Sequence, residues 1–206
     1  MTLRVQSLAI VRGDRRLAED LCFAVEPGQV LHLQGRNGAG KTSLLEILCG
    51  LRQPAEGRIE GLPEQGQRHW IGHKNALNPV LTAGENLRFW GALHGAGAVD
   101  VDAALQRVGL RAQRRRPAGS LSTGQKRRAA LARLVVSPRR WWFLDEPLAG
   151  LDAAGLALFA DLLDAHLQGG GAAIVTSHQA LPIAGSRLLG LSLQAPARAA
   201  APEARP

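Results

Sequence analysis

Cysteine occurs only twice in the 206 residues, at Cys22 and Cys49, with no CxxC spacing and no histidine close by. That excludes a disulfide framework and leaves metal binding without support, so both read as buried thiols. No stretch approaches the roughly 20 consecutive apolar residues a membrane-spanning helix requires. The N-terminus also lacks a basic segment leading into an apolar signal core, so a cytosolic chain is expected. Aromatic residues make up 4% of the chain, tyrosine is absent, and no RNA-binding aromatic motif separates the basic clusters. A nucleic-acid partner is therefore not expected, despite a formal net charge of +8. The clusters Arg111 with Arg114-Arg115-Arg116, Lys126-Arg127-Arg128 and Arg139-Arg140 lie on different segments. They read as solvated surface, with lipid headgroups or an acidic partner loop as the other reading.

What is present suits one compact α/β unit. Hydrophobic residues at 46% and charged residues at 20% are the balance of a globular protein, and the length allows a single well-buried core. Leu3 to Val11 and Leu21 to Val25 read as two strands around the polar turn Arg12-Gly13-Asp14-Arg15-Arg16. Val30 to Gln34 is a third strand, followed by a glycine-rich turn and an apolar helix from Lys41 to Cys49. Thr82 with Glu85, and Ser122 with Gln125, have capping-box spacing ahead of two further helices. On the first of these, Leu87, Trp90 and Leu93 follow at helical intervals; on the second, Leu131, Leu134 and Val135 share a side, and Pro138 ends it. Trp141 to Leu144 is the continuous apolar run of a central parallel strand. Asp152 caps a helix carrying Leu156, Phe159, Leu163 and His166, and the strand Ala172 to Thr176 follows. From Gln194 onward the chain is rich in Ala, Pro and Arg, has no apolar periodicity, and reads as a disordered tail over 194–206.

Gly35-Arg36-Asn37-Gly38-Ala39-Gly40-Lys41-Thr42 matches the phosphate-binding pattern GxxxxGK[ST] between a strand and a helix. Successive N–H groups there can face one anion, and the helix dipole adds to the attraction. Lys41 would reach the β and γ phosphates of a nucleotide, Thr42 would offer its hydroxyl to Mg²⁺, and Ser43 could bond another phosphate oxygen. A chance match in a chain of this length is below roughly one in a hundred. Asp145 and Glu146 follow the apolar strand as an acid pair: Asp145 can orient Mg²⁺ through water, and Glu146 can poise the attacking water. Leu121-Ser122-Thr123-Gly124-Gln125 presents N–H groups and a hydroxyl at another helix N-terminus.

That last segment resembles the signature of the ABC ATPases, usually written LSGGQ, with Thr123 replacing one glycine. The order of motifs is that of the family, Ala149-Gly150-Leu151-Asp152 resembles its D-loop, and Ser177-His178 its switch histidine. The resemblance spans residues 1 to about 193. It implies a P-loop NTPase fold with a RecA-like core, an N-terminal antiparallel β subdomain and a helical subdomain inserted at about 78–135. It also implies ATP and Mg²⁺ as cofactors, Glu146 and His178 as catalytic residues, and Thr42 and Asp145 at the metal. A homodimer would form in the ATP-bound state, each ATP lying between one chain's phosphate loop and the Ser122, Gly124 and Gln125 of the other. Asp152 would relay between the two sites.

Two positions depart from the family pattern. His73 stands where a glutamine usually senses Mg²⁺ and relays to the membrane subunit, and it reads either as a relay or as a plain surface residue. Arg12 stands where an aromatic residue usually stacks on adenine, a task a guanidinium plane can also perform. Trp70-Ile71-Gly72-His73, Glu85-Asn86-Leu87-Arg88-Phe89-Trp90 and the run from Gly124 to Arg133 resemble the ATP-binding subunits of the cytochrome c maturation system, the haem exporter ATPases. That resemblance implies a peripheral protein on the cytoplasmic face of the bacterial inner membrane. Its partners would be a CcmB-like multispanning subunit and other cytochrome c maturation proteins. On the helical subdomain, Phe89 and Trp90 read as flanking the surface that receives the membrane subunit, with a core position as the other reading of Trp90. Nothing in the chain resembles a haem site. The alternatives are the ATPase of a different bacterial ABC exporter, or a soluble ABC ATPase acting on nucleic acid or ribosomes. Tandem units or a long coiled-coil insertion would mark the latter, and this sequence has neither.

Overall fold

A computed structural model of the chain describes residues 1–95, 100–183, 185 and 187–193; the tail expected from residue 194 lies outside them. The first two strands, β1 (Leu3–Arg12) and β2 (Arg15–Val25), form an antiparallel hairpin. Its turn is tighter than the sequence suggested, because Arg12 pairs with Arg15 and only Gly13 and Asp14 lie between. Next come β3 (Val30–Gly35), helix α1 (Lys41–Leu48) and β4 (Glu56–Glu60). β4 adds to the free edge of β1, giving a three-stranded sheet in the order β2-β1-β4.

The second sheet is wholly parallel. β5 (Arg68–Ile71) leads into α2 (Ala83–Leu93), α3 (Val101–Arg107) and α4 (Thr123–Val136) before the chain returns as β6 (Trp141–Asp145). α5 (Ala153–Gln168), β7 (Ala172–Thr176) and β8 (Leu188–Leu193) complete it, in the strand order β5-β6-β7-β3-β8. Side chains alternate across a strand, and β6 uses that alternation to divide two cores. Trp141 and Phe143 join α1 and the hairpin, whereas Trp142 and Leu144 join the cluster built by α2 to α5. Each large apolar side chain so buried contributes about 1.5–3 kcal/mol.

Both capping boxes form: Thr82 and Glu85 exchange bonds ahead of α2, and Ser122 and Gln125 ahead of α4. Asp152 accepts from the Gly155 N–H at 2.8 Å and starts α5.

Three sequence readings require correction. Leu87 is fully buried and Trp90 packs against the core, but Leu93 is 65% exposed, because α2 ends there and only its first turns lie on the core. Cys22 is exposed, since β2 turns that face outward; only Cys49 is buried. Arg127 belongs to a basic cluster read as solvated surface, yet it is 2% exposed. It lies on the inner face of α4, where backbone carbonyls bind its guanidinium.

Candidate nucleotide site

Parallel pairing places the carboxyl ends of β3, β5, β6 and β7 along one edge, where open α/β sheets bind ligands. β3 ends in the phosphate loop, β6 in Asp145-Glu146, β7 in Thr176 ahead of Ser177-His178, and β5 ahead of Gly72-His73. A cleft of about 680 Å³ opens there. Asn37, Gly38, Gly40, Lys41, Thr42, Ser43, Asp145, Glu146, His178, His73 and Arg12, all named from the sequence, line it. Gly35, Arg36 and Ala39 line the adjoining hollow on the other side of the loop, together with Asn37 and Gly38.

The loop is shaped by its backbone. Gly40 precedes α1 with φ of 100°, a conformation L side chains rarely adopt, and a Cβ there would meet the Leu17 Cβ at 3.2 Å. The first N–H groups of α1 have no acceptor within the helix and face an incoming anion. Lys41 Nζ donates to the carbonyls of Gly35 at 2.8 Å and Arg36 at 3.4 Å, so its ammonium is held across the loop.

Opposite the loop, the hydroxyl of Thr42 lies 3.2 and 3.1 Å from the two carboxylate oxygens of Asp145. A hydroxyl and a carboxylate at that separation are hard oxygen donors suited to Mg²⁺, which is usually held by one or two carboxylates together with substrate phosphates and water. Among the described residues no group of three or more His, Cys, Asp or Glu could hold a metal ion.

Glu146 is the next residue, and its backbone is left-handed, with φ of 50°. Its Oε1 is buried and has no hydrogen-bond partner among the described residues. His178 Nε2 approaches that atom to 3.5 Å without forming a hydrogen bond. A carboxylate oxygen left unsatisfied beside a phosphate loop fits a water or a reacting group as its missing partner. His178 is held from behind: His32, buried in β3, hydrogen-bonds the Ser177 carbonyl at 3.1 Å.

The remaining expected residues lie elsewhere. Ser122, Gly124, Gln125 and Asp152 are absent from the cleft lining, Gly124 and Gln125 being half-buried and Ser122 and Asp152 exposed at the starts of α4 and α5. The signature packs beside the D-loop, for a Cβ on Gly124 would sit 2.7 Å from the Gly150 carbonyl. His73, after β5, and Arg12, at the end of β1, are both exposed and line the cleft. Ala149, read from the sequence as the start of the D-loop, also lines the cleft, as do Arg15 and Leu17, which the sequence did not single out for it; the tight hairpin returns Arg15 beside Arg12. His32 and Arg127 shape the site from behind, with no sign of it in the sequence.

A phosphate loop, an acid pair with His178 beside it and a separately presented LSTGQ segment, on this pair of sheets, define an ATP-binding domain of the ABC class. The family model described as ABC transporter matches residues 18–149. The chain belongs to that family, and within it to the cytochrome c biogenesis ATP-binding export proteins CcmA. It is 45% identical over 199 residues to the CcmA of Nitrosococcus oceani, covering 92% of each chain. The Paracoccus denitrificans CcmA is 46% identical, covering 92% of this chain and 88% of that one. For the Methylococcus capsulatus CcmA the identity is 46%, with 92% and 98% covered. In fold it is similar to an ATP-binding protein assigned to an ABC transporter from Pyrococcus furiosus, at a TM-score of 0.81 and 22% identity over 94% of this chain and 98% of that one. Membership makes the chain a transport-coupled ATPase subunit that binds ATP. Among the described residues no helix is long and apolar enough to cross a membrane.

Proposed function

We propose that this ATPase serves c-type cytochrome biogenesis, in haem handling, as the ATP-hydrolysing subunit of an export complex; its relatives are named cytochrome c biogenesis ATP-binding export proteins. Residues 1–193 act as one ABC domain, with a helical subdomain at about 78–135 that contains α2, α3 and α4. The N–H groups from Gly35 to Thr42, with Lys41 and Ser43, bind the phosphates of ATP. Thr42 and Asp145 would hold Mg²⁺, which would supply positive charge to offset that of the phosphates. Glu146 accepts a proton from the attacking water. His178, on the same side as Glu146, donates to the γ-phosphate, and Arg12 stacks on the base.

Each site is completed by a second copy. Ser122, Gly124 and Gln125 of that copy bind the γ-phosphate, and Asp152 reaches across the dimer. Their position outside their own chain's cleft supports that reading. A peripheral position on the cytoplasmic face of the bacterial inner membrane follows, with a CcmB-like multispanning subunit and other maturation proteins as partners. His73 and the exposed Phe89 on α2 are the contacts that relay toward that subunit.

The observation that carries the proposal is the meeting of Thr42, Asp145, Glu146 and His178 in one cleft. Glu146→Gln is expected to bind ATP as the parent does, to lose at least about 100-fold in turnover, and to accumulate as an ATP-bound dimer. Unchanged hydrolysis would remove Glu146 from the role of base. Copurification from detergent-solubilised membranes tests the assembly: a multispanning protein with cytochrome c maturation factors is expected, and a permease of another system would reassign the substrate.

A further inference from the structure

Arg127 is the most deeply buried arginine described, at 2% exposure, and no carboxylate pairs with it among the described residues. Its hydrogen bonds go to two separate parts of the cleft wall. Nη2 donates to the carbonyls of Asp145 at 2.9 Å and Glu146 at 2.5 Å. Nη1 donates to the Gly72 carbonyl and the Asn75 Oδ1, both at 3.1 Å. Those last two acceptors bracket His73. The guanidinium therefore spans the acid pair on one side and the His73 loop on the other. It does so from the helix whose N-terminus is the signature.

Burial without an ion pair is expensive for a guanidinium and depresses its pKa, against the opposing pull of the Asp145 and Glu146 charges. An apolar side chain of similar length would fill the space without that cost, so packing does not account for arginine here. The four acceptors do, because only a planar fork can reach two pairs of oxygens at once. The Glu146 backbone also needs support, since φ of 50° is uncommon for a residue with a side chain. On the N–H side Thr176 accepts through its hydroxyl and its carbonyl, and on the carbonyl side Arg127 donates together with the Ala149 N–H of the following turn, Arg127 being the donor that comes from another element.

We infer that Arg127 is a positioning residue that fixes Glu146 and the His73 loop as one unit, so that displacement of α4 moves both together. The inference rests on the reading of Glu146 as base, and it assigns Arg127 no contact with ATP.

The test uses the full chain, with steady-state turnover and the Kd for a fluorescent ATP analogue measured side by side. Arg127→Lys keeps the charge but cannot span both acceptor pairs. It is expected to lower kcat by about 10- to 100-fold while Kd stays within about 3-fold, since the loss is one of geometry rather than of binding. In that background His73→Ala is expected to cost less than it costs in the parent, because the connection it reports is already broken. A kcat within about 2-fold of the parent, an equal loss in binding, or full additivity with His73→Ala would each overturn the inference. Asn75→Ala removes one acceptor and leaves the arginine in place, so it covers the case in which Arg127→Lys does not fold. A roughly 3- to 10-fold fall in kcat at constant Kd is expected there, and none would count against the inference. Glu146→Gln in the same series separates the two failures. If that variant is inactive while Arg127→Lys is normal, only the positioning role falls; if Glu146→Gln is active, the base assignment falls first.

Discussion

Thr176, at the end of β7, donates its hydroxyl to the Oδ1 of Asp145, at the end of β6, at 2.7 Å. Thr42 reaches the same oxygen from the phosphate loop at 3.2 Å. The Thr176 hydroxyl also accepts the Glu146 N–H at 2.8 Å, so one side chain orients both acidic residues from a position that is fully buried. Thr176→Val keeps the shape and removes both bonds; the Glu146 N–H then retains only the Thr176 carbonyl, at 3.2 Å. A stability loss of about 1–3 kcal/mol is expected, measured by urea unfolding. Turnover should fall by roughly 10-fold with ATP affinity preserved. A valine variant with parental stability and turnover would mean that Asp145 and Glu146 are held by the strands alone.

Much of this site could be read in advance because its parts are short and local. The phosphate loop, the two capping boxes and the apolar run of β6 each declare themselves within eight or fewer residues, since their physics is that of neighbouring backbone groups. What stayed hidden depends on partners distant in sequence. β4 is Glu-Gly-Arg-Ile-Glu, mostly exposed and paired only to β1, so it carries no apolar alternation to find. β5 holds only four residues, two of them polar, and β8 is an edge strand interrupted by Gly190. Arg127 looked solvated because it sits in a basic triplet, and its acceptors come from segments distant in sequence, the end of β6 and the loop after β5. Charge in a sequence reveals composition, while burial depends on what folds back against it.

Stability should fall in mild acid because two histidines are held neutral. Burial pushes His69 down to about 4, assisted by the nearby cations Arg139 and Arg133, while Ser137 holds it by a hydrogen bond. Burial alone pushes His166 down to about 4; its ring stacks on Trp142 at 3.7 Å and hydrogen-bonds the Ala172 carbonyl at 3.1 Å. Both folded values lie below the ordinary 6.5, so the unfolded chain takes up protons that the folded chain refuses. Stability is then fully present above pH 6.5 and is lost as pH falls toward 4. At pH 5 the loss is on the order of 1–2 kcal/mol per histidine. Urea midpoints at pH 7.5 and pH 5 would register it, and His166→Phe, which keeps a ring against Trp142, should remove roughly half of the difference. An identical pH response in that variant would exclude His166 from the effect.

The interlock between signature and D-loop predicts different outcomes for neighbouring substitutions. A Cβ on Gly124 would meet the Gly150 carbonyl at 2.7 Å, too close without a shift of backbone, whereas Thr123 is exposed and its methyl lies against Gly150. Gly124→Ala is therefore expected to leave ATP binding by the single chain intact, within about 3-fold, and to abolish both the ATP-dependent dimer and turnover. Thr123→Gly should stay within about 3-fold of the parent in turnover, because nothing depends on the threonine beyond its contact with Gly150. Light scattering of the two variants with ATP would check this. A dimeric Gly124→Ala protein would argue that the D-loop can yield, and that the signature does not need its present placement.

Nucleotide choice should be broad. Arg12 and Arg15 face each other across the Gly13-Asp14 turn, both line the cleft, and the chain has no tyrosine to replace them. A guanidinium plane stacks on any base without reading its edge, so adenine and guanine meet the same surface. GTP is expected to be hydrolysed with kcat/KM within about 10-fold of that for ATP. Arg12→Ala should raise KM for both by a similar factor of roughly 5 to 100, the equivalent of about 1–3 kcal/mol of stacking, with kcat little changed because the base lies far from the reacting phosphate. Steady-state kinetics with the two nucleotides decides the point. A preference for ATP beyond about 100-fold, left intact in Arg12→Ala, would require hydrogen bonds to the adenine edge from some other wall of the cleft, since stacking alone does not separate purines to that extent.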